Sequence, residues 1–593
     1  MIEKGGIATM IFGGTRKHGS DKPRLNGISL RWFVVPAAIW LIAAILSIGH
    51  PDGLRFEQYL FLTQDAPVAT LLLVCLALLP WPRVRAKPGS SFPPWILASA
   101  ILFLVLLAWA GHYWLMSGYT LSRDETLARM TASTLAQQGK LGLAIPPEWR
   151  AYHDALSPAF LNPMGSDRFW ISIYLPGSAA IEALVSQIAD PALTQPLLLA
   201  LGLLALWDGA RLLLPNRPDA RAVVMLLALT SSQLLFNAMT AYAMTAHFAL
   251  NMAWLALFLR DRPGCHVAAL LVGALALALH KVQFHILFAG PVLAILLWQR
   301  RWKLSAIYAG CYTLFLLFWM KIYPIILIDA LDLAVPAKAA TGVSLSPRLQ
   351  SLEPLLYIPR LFAWNNALLL PLAMLGAGLA ISLWRRGSGQ DDTEQHRTML
   401  FLGLAVGCGL GLLLTVHQGL GWGYRYLHGY IGSFCLLAGL GWTRLHHSPA
   451  GLRPVILTSI LATALMIVQA GMIYRMTTPY ARLHAEALAR QADVVLVDTR
   501  GSAFSQDIIR LEGAPLRPPM LMDLAKLNER QLTDLCREYR VQIIDRDEYR
   551  RAGILADDSR PEAARVAALR AYLNQINCGR EDPPSGLVAG ASL

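Results

Sequence analysis

Long apolar runs dominate this chain and decide what it can fold into. They lie near residues 33–49, 59–80, 94–116, 193–214, 220–237, 242–259, 264–280, 283–299, 304–323, 364–384, 398–416, 427–444 and 454–474. Each approaches the ~20 residues that a helix needs to cross a bilayer core, so the pattern predicts about 13 spans. The run at 59–80 is weakened by Asp65, and 283–299 also fits a re-entrant segment. Hydrophobic residues make up 55% of the chain and charged residues 15%, against roughly 25% charged in a soluble domain. Mean hydropathy is +0.45. A soluble globule of this length has no interior large enough for that much apolar surface. The expected fold class is therefore an all-α polytopic membrane protein, followed by a small C-terminal α/β domain.

Charge then orients the spans. Lys and Arg exceed Asp and Glu by 51 − 38, a formal net charge of +13. The excess collects in short loops around Arg83–Lys87, Arg211–Arg221, Arg260–Arg262, Arg300–Lys303, Arg385–Arg397 and Arg444–Arg453. Short basic loops face the cytoplasm, so this charge reads as topology, and nucleic acid is not an expected partner. Residues 1–32 read as a basic cytoplasmic tail, 33–90 as an additional N-terminal hairpin, 91–474 as the main membrane module with an outer loop at 117–190, and 475–593 as a periplasmic α/β domain. No GxxxxGK[ST] and no GxGxxG after a strand occurs, so ATP-driven transport has no support in the sequence. The seven cysteines form no CxxC pair. Five lie in or beside apolar runs and read as packing residues. Cys536 and Cys578 share the outer tail, where a disulfide can form.

The unusual polar clusters fall on the outer side. The segment after the third span, GYTLSRDETLARMTASTLAQQGKLGL (118–143), carries Asp124 and Glu125 at the membrane edge. Ser122 stands three residues before Glu125, the spacing of a capping box. Apolar and small residues beyond it fit an amphipathic surface helix. Residues 146–185 interleave aromatics, prolines and polar groups, as two surface helices joined by a Pro/Asn-rich turn would. By itself the acidic pair reads as helix N-terminal charge worth about 0.3–1 kcal/mol each.

This layout resembles the GT-C integral-membrane glycosyltransferases, such as the protein O-mannosyltransferases and the lipid A aminoarabinose transferase. In that superfamily the first large outer loop opens with an acidic motif, matched here by Asp124 and Glu125. The loop here follows the third span rather than the first, so the shared module starts near 94 and extends to about 474. The resemblance implies a donor sugar on polyprenyl phosphate, a periplasmic glycan, lipid or protein acceptor, and inversion at the anomeric carbon. The expected setting is the bacterial inner membrane, with the N-terminus cytoplasmic and membrane lipid as a partner. Such chemistry needs at least one base and one cationic phosphate stabiliser. Asp124 is the expected base, with Glu125 beside it. No cofactor is certain, and a divalent metal is left open.

Three more outer clusters supply candidates. TVHQGLGWGYRYLHGY (415–430) holds Trp422, Tyr424, Arg425 and His428. Tyr424-Arg425-Tyr426-Leu427 resembles an Arg-Tyr-Leu sequence at the start of a late GT-C span, although the prolines that commonly follow are replaced by His428 and Gly429. Arg425 is the expected phosphate clamp, because its guanidinium suits bidentate phosphate binding. ALHKVQFH (278–285) adds His280, Lys281 and His285 as phosphate or hydroxyl donors. The two histidines sit about 140° apart on a helix, against a zinc pair. The hairpin 234–254 adds Tyr242 at the outer edge, with His247 and Asn251 facing the bundle interior. The segment 324–363 matches the place of a flexible outer loop over the donor site in the family. Two alternatives stay open: an O-antigen ligase-like polymerase using a diphosphate carrier, and a lipid or glycan transporter. Mid-span charges are few and no internal repeat is evident, which ranks the transporter last.

Overall fold

The computed structural model describes residues 37–45, 60–78, 93–156, 166, 168–333, 357–386, 392–414, 421–445, 452–499, 505–511, 517–554 and 564–578. The basic tail at 1–32, His417, and Lys338, Arg348 and Glu353 of the outer segment lie outside them.

Five described helices are long and apolar enough to cross a membrane: Pro94–Trp114, Pro191–Leu213, Trp302–Ala330, Thr393–Leu414 and Arg453–Leu488. Shorter apolar helices at Phe61–Ala77, Met244–Leu259, Pro263–Ala278 and Gln283–Trp298 pack among them. Trp114, Leu314, Ile460 and Ile467 are each more than 60% exposed. Water would penalise a belt of that kind, and lipid accommodates it. Proline opens several helices, at Pro94, Pro218 and Pro263, where its missing N–H has no intrahelical partner to lose. The run at 283–299 is one helix, Gln283–Trp298, with Pro291 inside it.

A close helix crossing joins Leu369–Arg386 to Ile431–Arg444. A Cβ at Gly376 would lie 1.9 Å from the Leu437 carbonyl oxygen, and one at Gly441 would lie 2.1 Å from that of Leu372. Glycine here permits backbone contact that no side chain allows, which is how helices associate tightly where lipid supplies no hydrophobic drive.

The outer loop differs from two helices and a turn. It opens with the helix Arg123–Gln138 and closes with the shorter helix Gly177–Val185. Between them β1 (Gly142–Ala144) and β2 (Phe169–Ile171) pair antiparallel. The C-terminal segment forms a parallel sheet in the order β4-β3-β5, from β3 (Val494–Val497), β4 (Met520–Asp523) and β5 (Val541–Ile544). The helix Glu529–Glu538 crosses from β4 to β5 and starts with a capping box between Asn528 and Gln531. Asp545 caps the next helix, Arg546–Arg551. Cys536 and Cys578 are joined in a disulfide.

The sheet does not stand apart from the outer loop. Leu127, Met130, Trp149 and Trp170 of the loop share one apolar core with Val494, Leu496, Met520 and Leu535. Trp149 packs against Tyr539 with ring centroids 5.0 Å apart. Gln531 Nε2 donates to the Ala151 carbonyl at 2.6 Å.

The glycine crossing makes opposite predictions for two neighbours. Gly441→Ala forces backbones apart and should destabilise by about 1–3 kcal/mol. Gly378→Ala, whose Cβ would meet nothing within 4 Å, should gain up to about 1 kcal/mol of helix propensity. Thermal unfolding in lipid nanodiscs reads both, and equal shifts would contradict the crossing.

Candidate functional site

The helix Arg123–Gln138 begins where Ser122 accepts a hydrogen bond from the Glu125 N–H. Only that half of the expected capping box is formed, because the Glu125 carboxylate turns elsewhere. Its Oε2 accepts the Ala241 N–H at 3.3 Å, in the tight outer turn before the Met244–Leu259 helix. Tyr242, from the same turn, donates its hydroxyl to Ser122 Oγ at 2.6 Å. The two acidic residues therefore part company. Glu125 is buried against that turn, and Asp124 faces a cavity.

At that cavity Asp124 meets Arg425. Arg425 Nη1 lies 2.6 Å from Asp124 Oδ2, and the Tyr174 hydroxyl donates to Oδ1 at 2.5 Å. The guanidinium also stacks over the rings of Tyr242, at 4.5 Å, and Tyr426, at 5.2 Å. Side-chain exposure is 4% for Arg425 and 16% for Asp124, so the pair is buried but still reachable. Burial alone would raise the Asp124 carboxyl, yet the Arg425 charge and the Tyr174 hydroxyl outweigh it and hold Asp124 below its ordinary value. Burial opposes the Arg425 cation, and the Asp124 charge overrides it and raises Arg425. Among the described residues Glu125 has no such ion-pair partner. Burial pushes it up to about 7, against the Ala241 N–H and the Arg510 charge.

The cavity is lined by Asp124, Ser172, Tyr174, Tyr242, His280 and Arg425 among others, with a volume of about 30 Å³. That is room for water and not for a sugar. His280 stacks on Tyr174 with centroids 4.2 Å apart, and its buried Nδ1 has no hydrogen-bond partner among the described residues. Lys281 follows it in sequence and is exposed, and it is not among the residues that line the cavity. Burial lowers the Lys281 ammonium, and the Asp124 charge partly offsets that.

The other expected donor-site residues do not reach this cavity. His285 is fully buried within the bundle, with one ring nitrogen 2.8 Å from Asn251 Oδ1 and the other 2.7 Å from the Tyr312 hydroxyl. His428 is buried against Phe248, and Tyr424 packs on Tyr357. Trp422 packs on Trp364. His247 and Asn251 face the interior, as their positions predicted. Among the described residues no group of three or more His, Cys, Asp or Glu is arranged to hold a metal.

Tyr424 and Trp422 serve instead through their backbones, in a support that sequence reasoning missed. Gln233 Nε2 donates to the Tyr424 carbonyl at 2.7 Å, and its Oε1 accepts the Tyr424 N–H at 3.1 Å. Asn237 Nδ2 donates to the Trp422 carbonyl at 2.7 Å. Arg360 Nη2 donates to the Gly421 carbonyl at 2.8 Å. The turn that carries Arg425 is thus pinned by three side chains that satisfy its buried backbone groups. Gly423 takes φ +76°, and a Cβ there would lie 2.6 Å from Gln233 Oε1. Its missing side chain makes room for Gln233 rather than for a ligand. Arg360 is in turn paired with Asp65, Nε to Oδ2 at 2.9 Å, and Asp65 Oδ1 accepts from Trp364 Nε1 at 2.7 Å. Asp65, the residue that weakened the second run as a span, is fully buried here.

No family model matches the chain, and no curated protein matches it. Solved structures similar to the chain include two of one protein. One is the crystal structure of ArnT from Cupriavidus metallidurans bound to undecaprenyl phosphate, 13% identical, covering 70% of this chain and 74% of that one, with a TM-score of 0.40. The other is the same organism's ArnT in the apo state, also 13% identical, covering 70% and 73%, with a TM-score of 0.43.

The Asp65–Arg360 pair has side-chain exposures of 0% and 3%. Asp65→Ala leaves a buried guanidinium without its counter-charge and should cost about 3–5 kcal/mol. Asp65→Leu combined with Arg360→Met removes both charges and should recover most of that loss. Unfolding midpoints of the two variants decide it. A single variant no less stable than the double one would show that the pair does not hold the turn.

Proposed function

We propose that the chain is a GT-C-type glycosyltransferase of the bacterial inner membrane, transferring a sugar from a polyprenyl-phosphate donor to an acceptor on the periplasmic side. The observation that carries this reading is the contact between the Asp124 carboxylate and the Arg425 guanidinium. It brings a base and a phosphate-binding cation together at the mouth of a membrane bundle. No nucleotide sugar is available outside the cytoplasm, so a donor there must arrive on a lipid. The disulfide between Cys536 and Cys578 supports an oxidising compartment for the C-terminal unit.

In the proposed reaction the donor phosphate competes with Asp124 for Arg425. A phosphate oxygen and the guanidinium form a charge-assisted pair, and the released carboxylate loses the charge that held its proton affinity down. The acceptor hydroxyl attacks the anomeric carbon, the bond from that carbon to the phosphate oxygen breaks, and the hydroxyl proton passes to Asp124 Oδ2. Polyprenyl phosphate leaves on Arg425, with inversion at carbon. Tyr174 holds Asp124 Oδ1 throughout, and the free Nδ1 of His280 is available to a sugar hydroxyl or phosphate oxygen. Lys281, next to His280 in sequence, adds positive charge near Asp124. Tyr242 backs Arg425 and orients Ser122. His285, His428, Trp422 and Tyr424 support the bundle and the turn.

Asp124→Asn keeps the shape of the carboxylate but takes no proton at neutral pH. Turnover of a polyprenyl-phosphate sugar should fall at least 10²-fold, the lower bound of a lost general base, while the protein still folds. Near wild-type turnover in the purified variant would remove Asp124 as base.

Glu125 predicts a pH dependence. With its carboxyl at about 7, it is mostly protonated below that pH and mostly ionised above it. Its added negative charge, one residue from Asp124, raises the basicity of Asp124. Turnover should therefore rise as pH increases through about 7, and Glu125→Gln should flatten that limb. A Glu125→Gln profile with the same limb would assign it to another group.

A further inference from the structure

The C-terminal unit reaches back to the residues that open the acidic helix. Asp507 is almost fully buried, with 1% side-chain exposure, and its Oδ1 lies 3.2 Å from Arg123 Nε. Arg510 closes the loop from the other side. Its Nη1 donates to Thr120 Oγ1 at 2.5 Å, its Nη2 to the Thr120 carbonyl, and its Nε to the Asp507 carbonyl at 3.0 Å. The Arg510 guanidinium also lies over the Tyr119 ring, 3.4 Å from its centroid. Residues 119–123 are thus tied to 507–510 by an ion pair, backbone bonds and a stacked cation.

The geometry matters because Arg123 is the first residue of the helix, immediately before Asp124. A cation at a helix N-terminus is disfavoured by the macrodipole, and Asp507 supplies the missing negative charge. Released from Asp507, Arg123 would become a second guanidinium beside Asp124, able to compete with Arg425 for its carboxylate. Thr120 and Ser122 also set the helix axis, and with it the line from Asp124 to the anomeric carbon.

We propose that Asp507 and Arg510 are positioning residues for Asp124, making the C-terminal unit a working part of the transfer site. Neither touches the cavity that holds Asp124 and Arg425. They act by holding Thr120 and sequestering Arg123. The turnover consequence rests on the glycosyltransferase reading above, whereas the ordering of the helix start does not.

The test uses the full chain in nanodiscs with Asp507→Asn, Asp507→Glu and a control, Asp493→Asn. Asp493 pairs with Arg540 at 3.1 Å elsewhere in the same unit. Asp507→Asn should lower kcat by about 10-fold or more, since small misplacements of a catalytic group are costly, with donor KM within about 2-fold of wild type. Asp507→Glu should restore most of the loss, and Asp493→Asn should leave kcat unchanged. Amide hydrogen exchange across 120–131 should quicken in Asp507→Asn alone. Wild-type kcat and exchange in Asp507→Asn would overturn the proposal, as would an equal loss in Asp493→Asn. If the wild-type protein transfers no sugar, exchange alone decides. Faster exchange upholds the positioning role while the function reading fails, and unchanged exchange overturns the positioning role.

Discussion

One charge contact at the edge of an apolar bundle joins the two halves of the candidate site. Asp124 and Arg425 are 301 positions apart in sequence, and each is costly to bury alone. Paired, each offsets part of the other's cost, and the contact joins the 117–190 loop to the turn that starts the Ile431–Arg444 helix. Both oxygens of the carboxylate are engaged, one by Arg425 and one by Tyr174. In the proposed reaction an anionic ligand divides this pair.

Support for that contact comes from both ends of the chain. On the cation side, Gln233, Asn237 and Arg360 satisfy the backbone of the 421–424 turn, and Asp65 anchors Arg360. The N-terminal hairpin that looked like an addition is thus wired to the turn that carries Arg425. On the carboxylate side, the outer loop shares an apolar core with the C-terminal sheet, and Asp507 and Arg510 fasten the start of the acidic helix. The two halves of the site are held by parts of the chain with no group of their own in the cavity.

Much of this was legible in the sequence where the physics is local. Apolar run length predicted a many-helix membrane fold. Ser122 and the acidic pair predicted the start of a surface helix, and the C-terminal segment was expected to be α/β. What escaped was non-local or ambiguous. β1 and β2 are three residues each, too short for an alternation to register. β4 follows Pro518 and Pro519, which read as loop. The tyrosines, histidines and tryptophan around Arg425 looked alike as ligand donors. Only the fold separates His280, which lines the cavity, from His285 and His428, which are buried in the bundle. Asp65 read as a flaw in a span because its partner, Arg360, lies hundreds of residues away. Sequence does not reveal Gln233 packed against Gly423.

The central claim is that a lipid phosphate takes the place of Asp124 on Arg425. Equilibrium binding of undecaprenyl phosphate to purified protein in nanodiscs tests it most directly. Removing the competing carboxylate in Asp124→Asn should leave binding as tight as wild type or tighter. Arg425→Ala should weaken it by on the order of 1.5–3 kcal/mol, the value of a charge-assisted hydrogen bond. Weaker binding in Asp124→Asn, or unchanged binding in Arg425→Ala, would contradict the account.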